Sequence, residues 1–207
     1  MDRLNWRAAI KKYDANKKLS DEQVELLVET ARMAPTSYGL QLVKLYVVSN
    51  DSVKKQLMEA GYHQPQFVDA SHTFVLAVRD TVTPEDIQEY VDRIAKQRSV
   101  PAESIDGLKG MMMGSIKDRS PQELFAWNSR QAYILLGMMM AVAADQNIDT
   151  TPIEGFVPEK FDEILGINKD GYKSVVVMPA GFRAEDDKYA TMPKVRKTKE
   201  EFVKYVK

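Results

Sequence analysis

The longest apolar run in the chain, AYILLGMMMAVAA, begins at Ala132 and covers about a dozen residues. A membrane-spanning helix needs roughly 20 apolar residues, so this run is too short to cross a bilayer. Ser120, Pro121 and Glu123 form a helix-start pattern, and the helix is predicted to continue to about Asn147. We therefore expect a long helix buried in the core of a globular domain, and no membrane partner.

Local patterns predict the elements around this core helix. Ser20 and Gln23 form a capping box before apolar residues at helical spacing, which predicts a helix over 20–34. The stretch LVKLYVVS predicts a strand over 42–49, and the almost continuously apolar HTFVLAV predicts a central strand. Further helices are predicted over 51–60, from Thr83, over 158–165 and from Thr198, and further strands near 148–153 and at YKSVVVMPAGF. The set indicates one α+β domain over 1–207, with a mixed central sheet covered by helices on both faces.

Composition excludes several classes of function. The 207 residues carry 29 basic and 30 acidic side chains, so no overall positive field favours nucleic acid or anionic lipid. The chain has no cysteine and only two histidines, His63 and His72, so disulfides, thiolate nucleophiles and a multi-histidine metal centre are not expected. The first residues lack the apolar core of a signal peptide, and a cytoplasmic location is expected.

Two methionine triplets differ in their surroundings. Met138 to Met140 belong to the apolar run and are expected to pack in the core or at a subunit interface. Met111 to Met113 lie in the segment 101–119, where three glycines interrupt the helical tendency. That segment is expected to be mobile, and it is our candidate for a lid that selects substrates.

Two basic pairs lie near opposite ends of the chain. Arg7 and Lys11 are four residues apart, which on a helix places them on one face. Lys194 and Arg196 alternate in MPKVRK, which in an extended segment points them the same way. The two pairs are either a clamp for a phosphate or ordinary solvated surface charge.

Two loops offer polar groups for a ligand. PTSYGLQ, residues 35–41, is a polar break between a helix and a strand, and an ordinary connection is the alternative interpretation. His63 lies in a second loop and is open as a ligand contact, whereas His72 at the start of an apolar strand is expected to be structural. No G-x-S-x-G, G-x-G-x-x-G or Walker sequence is present, so hydrolase and Rossmann dehydrogenase interpretations lack local support.

Four separated segments, NWRAAIKKYD, ARMAPTSYGLQ, TTPIEGF and MPKVRK, occur in an order and spacing that resembles the nitroreductase family of flavin-dependent NAD(P)H oxidoreductases. The resemblance extends over essentially the whole chain. It implies an intertwined homodimer with FMN at each of two interface sites. It also implies a ping-pong reaction in which NAD(P)H reduces the flavin and a nitroaromatic, quinone or related small conjugated acceptor reoxidises it.

The same resemblance implies roles for individual residues. Arg7 and Arg196, with Lys194, would hold the FMN phosphate, and Lys11 would approach the N1 and O2 edge of the ring. Pro35, Thr36 and Ser37 would contact the FMN of the other subunit. The full set of expected cofactor contacts is Arg7, Ala8, Ala9, Lys11, Pro35, Thr36, Ser37, Gln41, His63, Gln66, Pro152, Ile153, Glu154, Gly155, Lys194 and Arg196.

The chain departs from the family pattern at three places. Ala9 replaces a frequent serine, His63 replaces a frequent asparagine, and a frequent Q-P-W run appears as QLV from Gln41. These changes make nitroreduction a weaker expectation than flavin binding. A flavin carrier or redox sensor without significant turnover is the alternative, and a small-molecule binder without flavin is a third hypothesis.

The sequence TPIEGF contains one carboxylate, Glu154, between Pro152 and Gly155. By itself it could be a catalytic acid. In the family the backbone N–H groups of this stretch face flavin N5 and O4, where hydrogen-bond donors stabilise negative charge. The resemblance therefore implies that the backbone amides of Glu154 and Gly155, and not the Glu154 side chain, act on the flavin. No catalytic side chain is expected.

Overall fold

The structure is a computed structural model that describes all residues from Met1 to Lys207. It is rich in helices and contains one small sheet. The helices are α1 Asp2–Trp6, α2 Asp21–Arg32, α3 Asp51–Ala60, α4 Gln66–Asp69, α5 Pro84–Arg98, α6 Asp106–Ile116, α7 Pro121–Asp145, α8 Pro158–Leu165 and α9 Lys199–Phe202. The strands are β1 Val43–Val48, β2 His72–Arg79, β3 Asp149–Thr150 and β4 Tyr172–Gly181.

Four helix starts form complete capping boxes. In α2, α5, α7 and α9, the side chain of the preceding Ser20, Thr83, Ser120 or Thr198 accepts from a backbone N–H three residues on. The side chain at that third position accepts in return from the cap N–H, so two otherwise free donors are satisfied at each end. The helix starts predicted from these sequences are confirmed.

The sheet has the strand order β1-β2-β4-β3. Its three strand pairs are all antiparallel, so the expectation of a mixed sheet is wrong for these strands. The one parallel pairing is an isolated bridge between Ala9 and Thr150. As predicted, β2 lies inside the sheet.

Side chains of β2 alternate between two hydrophobic clusters. Phe74, Leu76 and Val78 pack with residues of α2 and α7 on one face of the sheet. Val75 and Ala77 pack with residues of α3 and α8 on the other face. Successive side chains of a strand point to opposite faces, so a strand that is apolar at nearly every position is buried on both faces. The prediction that helices cover both faces of the sheet is confirmed.

The helix α7 joins the main core to a third cluster. Met139 is fully buried in the main core, with Met138 and Met140 packed beside it. Leu124, near the start of α7, packs with residues of α5 and with Met112 of α6. At 25 residues, α7 is about 37 Å long. None of the helices combines the length and hydropathy that crossing a membrane requires.

Two predicted elements differ in the structure. The glycines at 107, 110 and 114 do not interrupt a helix, because α6 is continuous and holds Met112 buried against the α5 cluster. The strand predicted near 148–153 is reduced to Asp149–Thr150 because Thr151 N donates to Pro179 O, but Pro179 has no N–H with which to return the bond. Pairing resumes only at Ile153, which forms an isolated bridge with Val177.

Candidate functional site

Four cationic side chains from both ends of the chain line one open groove. These are Arg7, Lys11, Lys194 and Arg196, and Ala8, Ala9, Tyr189, Met192 and Pro193 complete the lining. The prediction that Arg7 and Lys11 share a helix face is wrong, since α1 ends at Trp6 and Arg7 is extended. The two side chains still reach one groove. An even spacing also places side chains on one side of an extended segment.

A buried carboxylate, Asp187, joins the two ends of the chain at this groove. Its Oδ2 accepts from the backbone N–H groups of Lys11 and Lys12, both at 2.7 Å, and its Oδ1 accepts from Ala190 N at 2.8 Å. Lys194 Nζ adds a hydrogen bond of 2.5 Å to Asn5 O. Asp187 was not predicted from the sequence, because it stands in the acidic run EDD, which has the pattern of a solvated surface.

The groove carries positive charge that no protein carboxylate neutralises. None of Arg7, Lys11, Lys194 and Arg196 forms a salt bridge. Burial, and then the charge of Arg196, lowers the pKa of the half-buried Arg7 guanidinium. Arg7 Nη1 has only the weak acceptor Met140 Sδ, at 3.9 Å. Two guanidinium groups without an acidic partner form a site suited to an oxyanion, which would relieve their repulsion.

Residues 152–156, here called the Pro152–Phe156 turn, follow β3 beside this groove. Thr151 Oγ1, just before the turn, donates to Ile10 O at 2.6 Å, which attaches it to the segment that carries Arg7 and Lys11. Ile153 exchanges two backbone hydrogen bonds with Val177 of β4, at 2.8 and 3.0 Å. Ala9, which lines the groove, forms a bridge with Thr150, two residues before the turn. The turn therefore begins close to the cationic groove.

Two backbone donors of the turn are free. Phe156 N donates to Glu154 O at 3.0 Å, but the N–H groups of Glu154 and Gly155 donate to no backbone acceptor in the chain. Both residues are exposed. Adjacent free amides on a fixed turn can stabilise an electron-rich atom of a bound molecule.

The Glu154 carboxylate and the Gly155 carbonyl of the turn each accept from a side chain. Tyr133 of α7 donates its hydroxyl to Glu154 Oε1. Burial, followed by this bond and the charge of Glu154, raises the pKa of Tyr133 to about 12. At the next residue, Gln64 Nε2 donates to Gly155 O at 2.7 Å. Neither Tyr133 nor Gln64 was predicted, because both contacts join residues far apart in sequence.

The 35–41 loop is held by α7 but lies apart from the cationic groove. Ser37 N donates to Gln131 Oε1 at 2.9 Å, and Trp127 Nε1 donates to Ser37 Oγ at 3.3 Å. Thr36 and Gln41 line two pockets that share no residue with the cationic groove. Pro35 is exposed. Within one chain, the structure does not bring this loop together with Arg7 and Arg196.

The remaining predicted residues occupy different environments. His63 is exposed, with Nδ1 3.3 Å from Glu59 Oε2, and it immediately precedes Gln64. Gln66 is buried in α4, and its Oε1 has no hydrogen-bond partner. His72 Nδ1 lies 2.9 Å from Ser71 Oγ, and burial, followed by the charges of Lys54 and Lys18, lowers the pKa of His72. This setting agrees with the structural role expected for His72.

Comparison with known proteins relates these features to one family. The sequence profile of the nitroreductase family matches residues 4–182. A Bacillus subtilis protein provisionally named NAD(P)H nitroreductase YfkO is 35% identical over 220 aligned positions, which cover all of this chain and 96% of the relative. The alignment thus includes every segment of the candidate site.

Solved structures show the same fold. A Bacillus subtilis nitroreductase, ydfN, superposes with a TM-score of 0.87 at 22% identity, over 99% of this chain and 97% of the other. A nitroreductase from Exiguobacterium sibiricum 255-15, solved in complex with FMN, superposes with a TM-score of 0.84 at 23% identity, over 100% and 96% of the two chains. The nitroreductase-like α+β fold expected from the sequence is confirmed. The chain belongs to the nitroreductase family.

Proposed function

We propose that the chain binds FMN between the cationic groove and the Pro152–Phe156 turn, and uses it to reduce small conjugated acceptors with electrons from NAD(P)H. One observation carries this proposal: a groove whose cations have no acidic partner lies next to a turn with two free backbone N–H groups, those of Glu154 and Gly155. A phosphate fits the first and an electron-rich ring edge fits the second. FMN has both groups in one molecule.

The groove would hold the phosphate end. Arg7 and Arg196 offer bidentate guanidinium groups, and Lys194 adds a charge from the same exposed segment. Ala8 and Ala9 add no side-chain donor, so binding depends on the cations and on backbone groups. Lys11, whose Nζ lies 6.0 Å from the centre of the Tyr189 ring, would place a cation at the N1 and O2 edge.

The turn would meet the reactive part of the ring. When bound, FMN supplies the hydride chemistry, accepting two electrons from NAD(P)H and passing them to an acceptor such as a nitroaromatic or a quinone. The N–H groups of Glu154 and Gly155 would stabilise the negative charge that accompanies reduction, while Pro152 and Ile153 fix their approach. No side-chain acid is needed for this role.

We further propose that the active form is a homodimer in which the 35–41 loop of one subunit contacts the FMN of the other. Ile134, Gly137 and Ala141 form an exposed stripe of apolar and small residues along α7. The edge of β1 is open, and apolar residues of the C-terminal segment, among them Phe202 and Tyr205, are exposed. These surfaces suit contact between copies, since monomers rarely expose contiguous apolar patches.

Sedimentation equilibrium tests the dimer. The expected mass is twice 23.5 kDa, or about 47 kDa. Removal of residues 198–207 is expected to lower the dimer fraction, because it removes the exposed side chains Phe202 and Tyr205 that are proposed to contact the second copy. FMN retention should fall with it, because the proposed site needs both subunits. A stable 23.5 kDa particle that retains FMN would contradict the two-subunit site.

The visible absorption spectrum tests the cofactor and the reaction. The purified protein, or the protein after addition of FMN and gel filtration, is expected to show flavin absorption bands. Added NADH or NADPH should bleach these bands without oxygen, and a quinone or nitroaromatic should restore them. Bleaching without reoxidation by such acceptors would favour the carrier or redox sensor. A colourless protein after reconstitution would defeat FMN binding.

A further inference from the structure

We infer that Gln64 and Tyr133 are positioning residues that clamp the Pro152–Phe156 turn from two sides and so hold the Glu154 and Gly155 N–H groups toward the flavin. The inference rests on the proposed function, because it concerns how this chain orients the donors assigned to that site. Gln64 comes from the loop before α4, and Tyr133 comes from α7.

The carbonyl contacts of the turn determine where its free N–H groups point. A trans peptide unit directs its C=O and N–H to opposite sides, so an acceptor contact at the carbonyl fixes the N–H direction. Ile153 O accepts from Val177 N, which turns the Glu154 N–H away from β4. Glu154 O accepts from Phe156 N, which fixes the Gly155 N–H. The Gly155 carbonyl shares its peptide unit with the Phe156 N–H, so a side chain that holds this carbonyl also holds the Phe156 N–H on Glu154 O, and through that bond the Gly155 N–H.

That side chain is Gln64, and its orientation is unambiguous. Its Nε2 donates to Gly155 O at 2.7 Å and to Gly61 O at 2.9 Å. Both partners are carbonyl oxygens, so only the amide nitrogen can face them. Gln64 therefore ties the exposed end of the turn to the end of α3, where Gly61 lies.

The backbone before Gln64 adopts a disfavoured conformation. Tyr62 and His63 have φ values of 54° and 57°, consecutive left-handed conformations in residues that carry a Cβ. Such conformations persist where surrounding contacts impose them, and they are concentrated at functional sites. His63 N contributes a hydrogen bond of 2.9 Å to Met58 O. The left-handed backbone at Tyr62 and His63 therefore places the Gln64 side chain within hydrogen-bond distance of the Gly155 carbonyl.

Tyr133 contacts the turn at a second point, the Glu154 carboxylate. A free carboxylate next to two unpaired N–H groups could bend back and accept from them, and such charge-assisted bonds are strong. The Tyr133 hydroxyl instead engages Glu154 Oε1 and keeps the carboxylate along α7. A tyrosine hydroxyl is protonated at neutral pH, and the raised pKa of Tyr133 keeps it protonated at higher pH as well. The two amides stay available to a ligand.

Two variants test the clamp in the full-length protein, Gln64→Leu and Tyr133→Phe. Gln56→Leu is the control for the first, because Gln56 is exposed on α3 and does not contact the turn. In FMN-free protein, NMR hydrogen exchange of the Phe156 amide reports opening of the turn. We expect about fivefold faster exchange in Gln64→Leu, the effect of losing one ordinary hydrogen bond, and no change in Gln56→Leu.

The reduction potential of bound FMN is the second readout. If the Glu154 and Gly155 N–H groups are held less firmly, the site should prefer reduced over oxidised FMN about tenfold less. That change lowers the reduction potential of a two-electron couple by about 30 mV. The double variant should show the fall most clearly. Unchanged potentials in both single variants and the double variant would overturn the inference, even if exchange were faster, because the clamp would then be merely structural.

The two proposals can fail separately. If wild-type protein binds FMN and the variants keep its potential, the clamp is wrong and the proposed function stands. If wild-type protein binds no FMN under reconstitution, the proposed function is wrong and the inference falls with it. A lowered potential in Gln64→Leu with a normal value in Gln56→Leu supports both.

Discussion

Replacing Arg7 and Arg196 together by alanine is expected to weaken FMN binding by about a thousandfold. Each guanidinium can make charge-assisted hydrogen bonds to a phosphate, and loss of about 2 kcal/mol at each side chain sums to about 4 kcal/mol. A factor of ten in affinity corresponds to 1.4 kcal/mol, so the two losses amount to nearly three powers of ten. Titration of apo-protein with FMN, followed by quenching of flavin fluorescence, measures the affinity.

The control for this pair is Lys96→Ala with Arg98→Ala. Both side chains lie exposed on α5, form no salt bridge and line neither the cationic groove nor the pocket of Thr36 and Gln41. The control double variant removes the same net charge and should bind FMN within about twofold of wild type, because separated surface charges are screened by salt. If the Arg7 and Arg196 variant bound FMN as tightly as its control, the groove would be solvated surface charge and the phosphate assignment would be wrong.

Gly155→Val is expected to reduce FMN binding and flavin reduction at least tenfold, whereas Glu154→Gln should leave both within about twofold. A Cβ at Gly155 would meet no atom of the chain closer than Gln64 Nε2 at 3.9 Å, an ordinary contact. The added Cβ therefore has room in the protein, and we expect the valine side chain to obstruct a molecule placed against the free amides. Glutamine at 154 keeps an oxygen that can accept from Tyr133 and keeps the backbone donors.

Stopped-flow measurement of NADH-driven bleaching compares the two variants, and thermal unfolding checks that each is folded. Gly155→Val should unfold close to the wild-type temperature, since its effect is on the ligand. Loss of reduction in Glu154→Gln with near-normal reduction in Gly155→Val would be the opposite pattern. That result would restore the Glu154 carboxylate as the catalytic group.

Local signals explain which parts of the fold could be predicted. Capping boxes at Ser20 and Ser120 lie within four residues of sequence, so the helix starts could be read directly. The four-residue spacing of Arg7 and Lys11 fits one side of a helix and one side of an extended chain alike. The shared side was therefore predicted correctly, while the element itself was wrong.

Contacts between distant residues explain the rest. Glycine lowers helix propensity, but burial of Met112 against α5 holds α6 together, so tertiary packing overrode the local preference at Gly110. Asp187 meets Lys11 across 176 positions, and Gln64 meets Gly155 across 91. No short sequence window contains both members of either pair, so local patterns carry no signal for these contacts.

The helix α7 has a consequence for which insertions and deletions the protein can tolerate. Three of its residues engage three different parts of the site: Gln131 holds Ser37, Tyr133 holds Glu154, and Met140 contacts Arg7. One residue added between Gln131 and Met140 would rotate the C-terminal part of the helix by about 100° and shift it by about 1.5 Å. The three contacts could then no longer form at the same time. We therefore expect insertions and deletions in related proteins to occur in the loops beyond the ends of α7 and not in the middle of the helix.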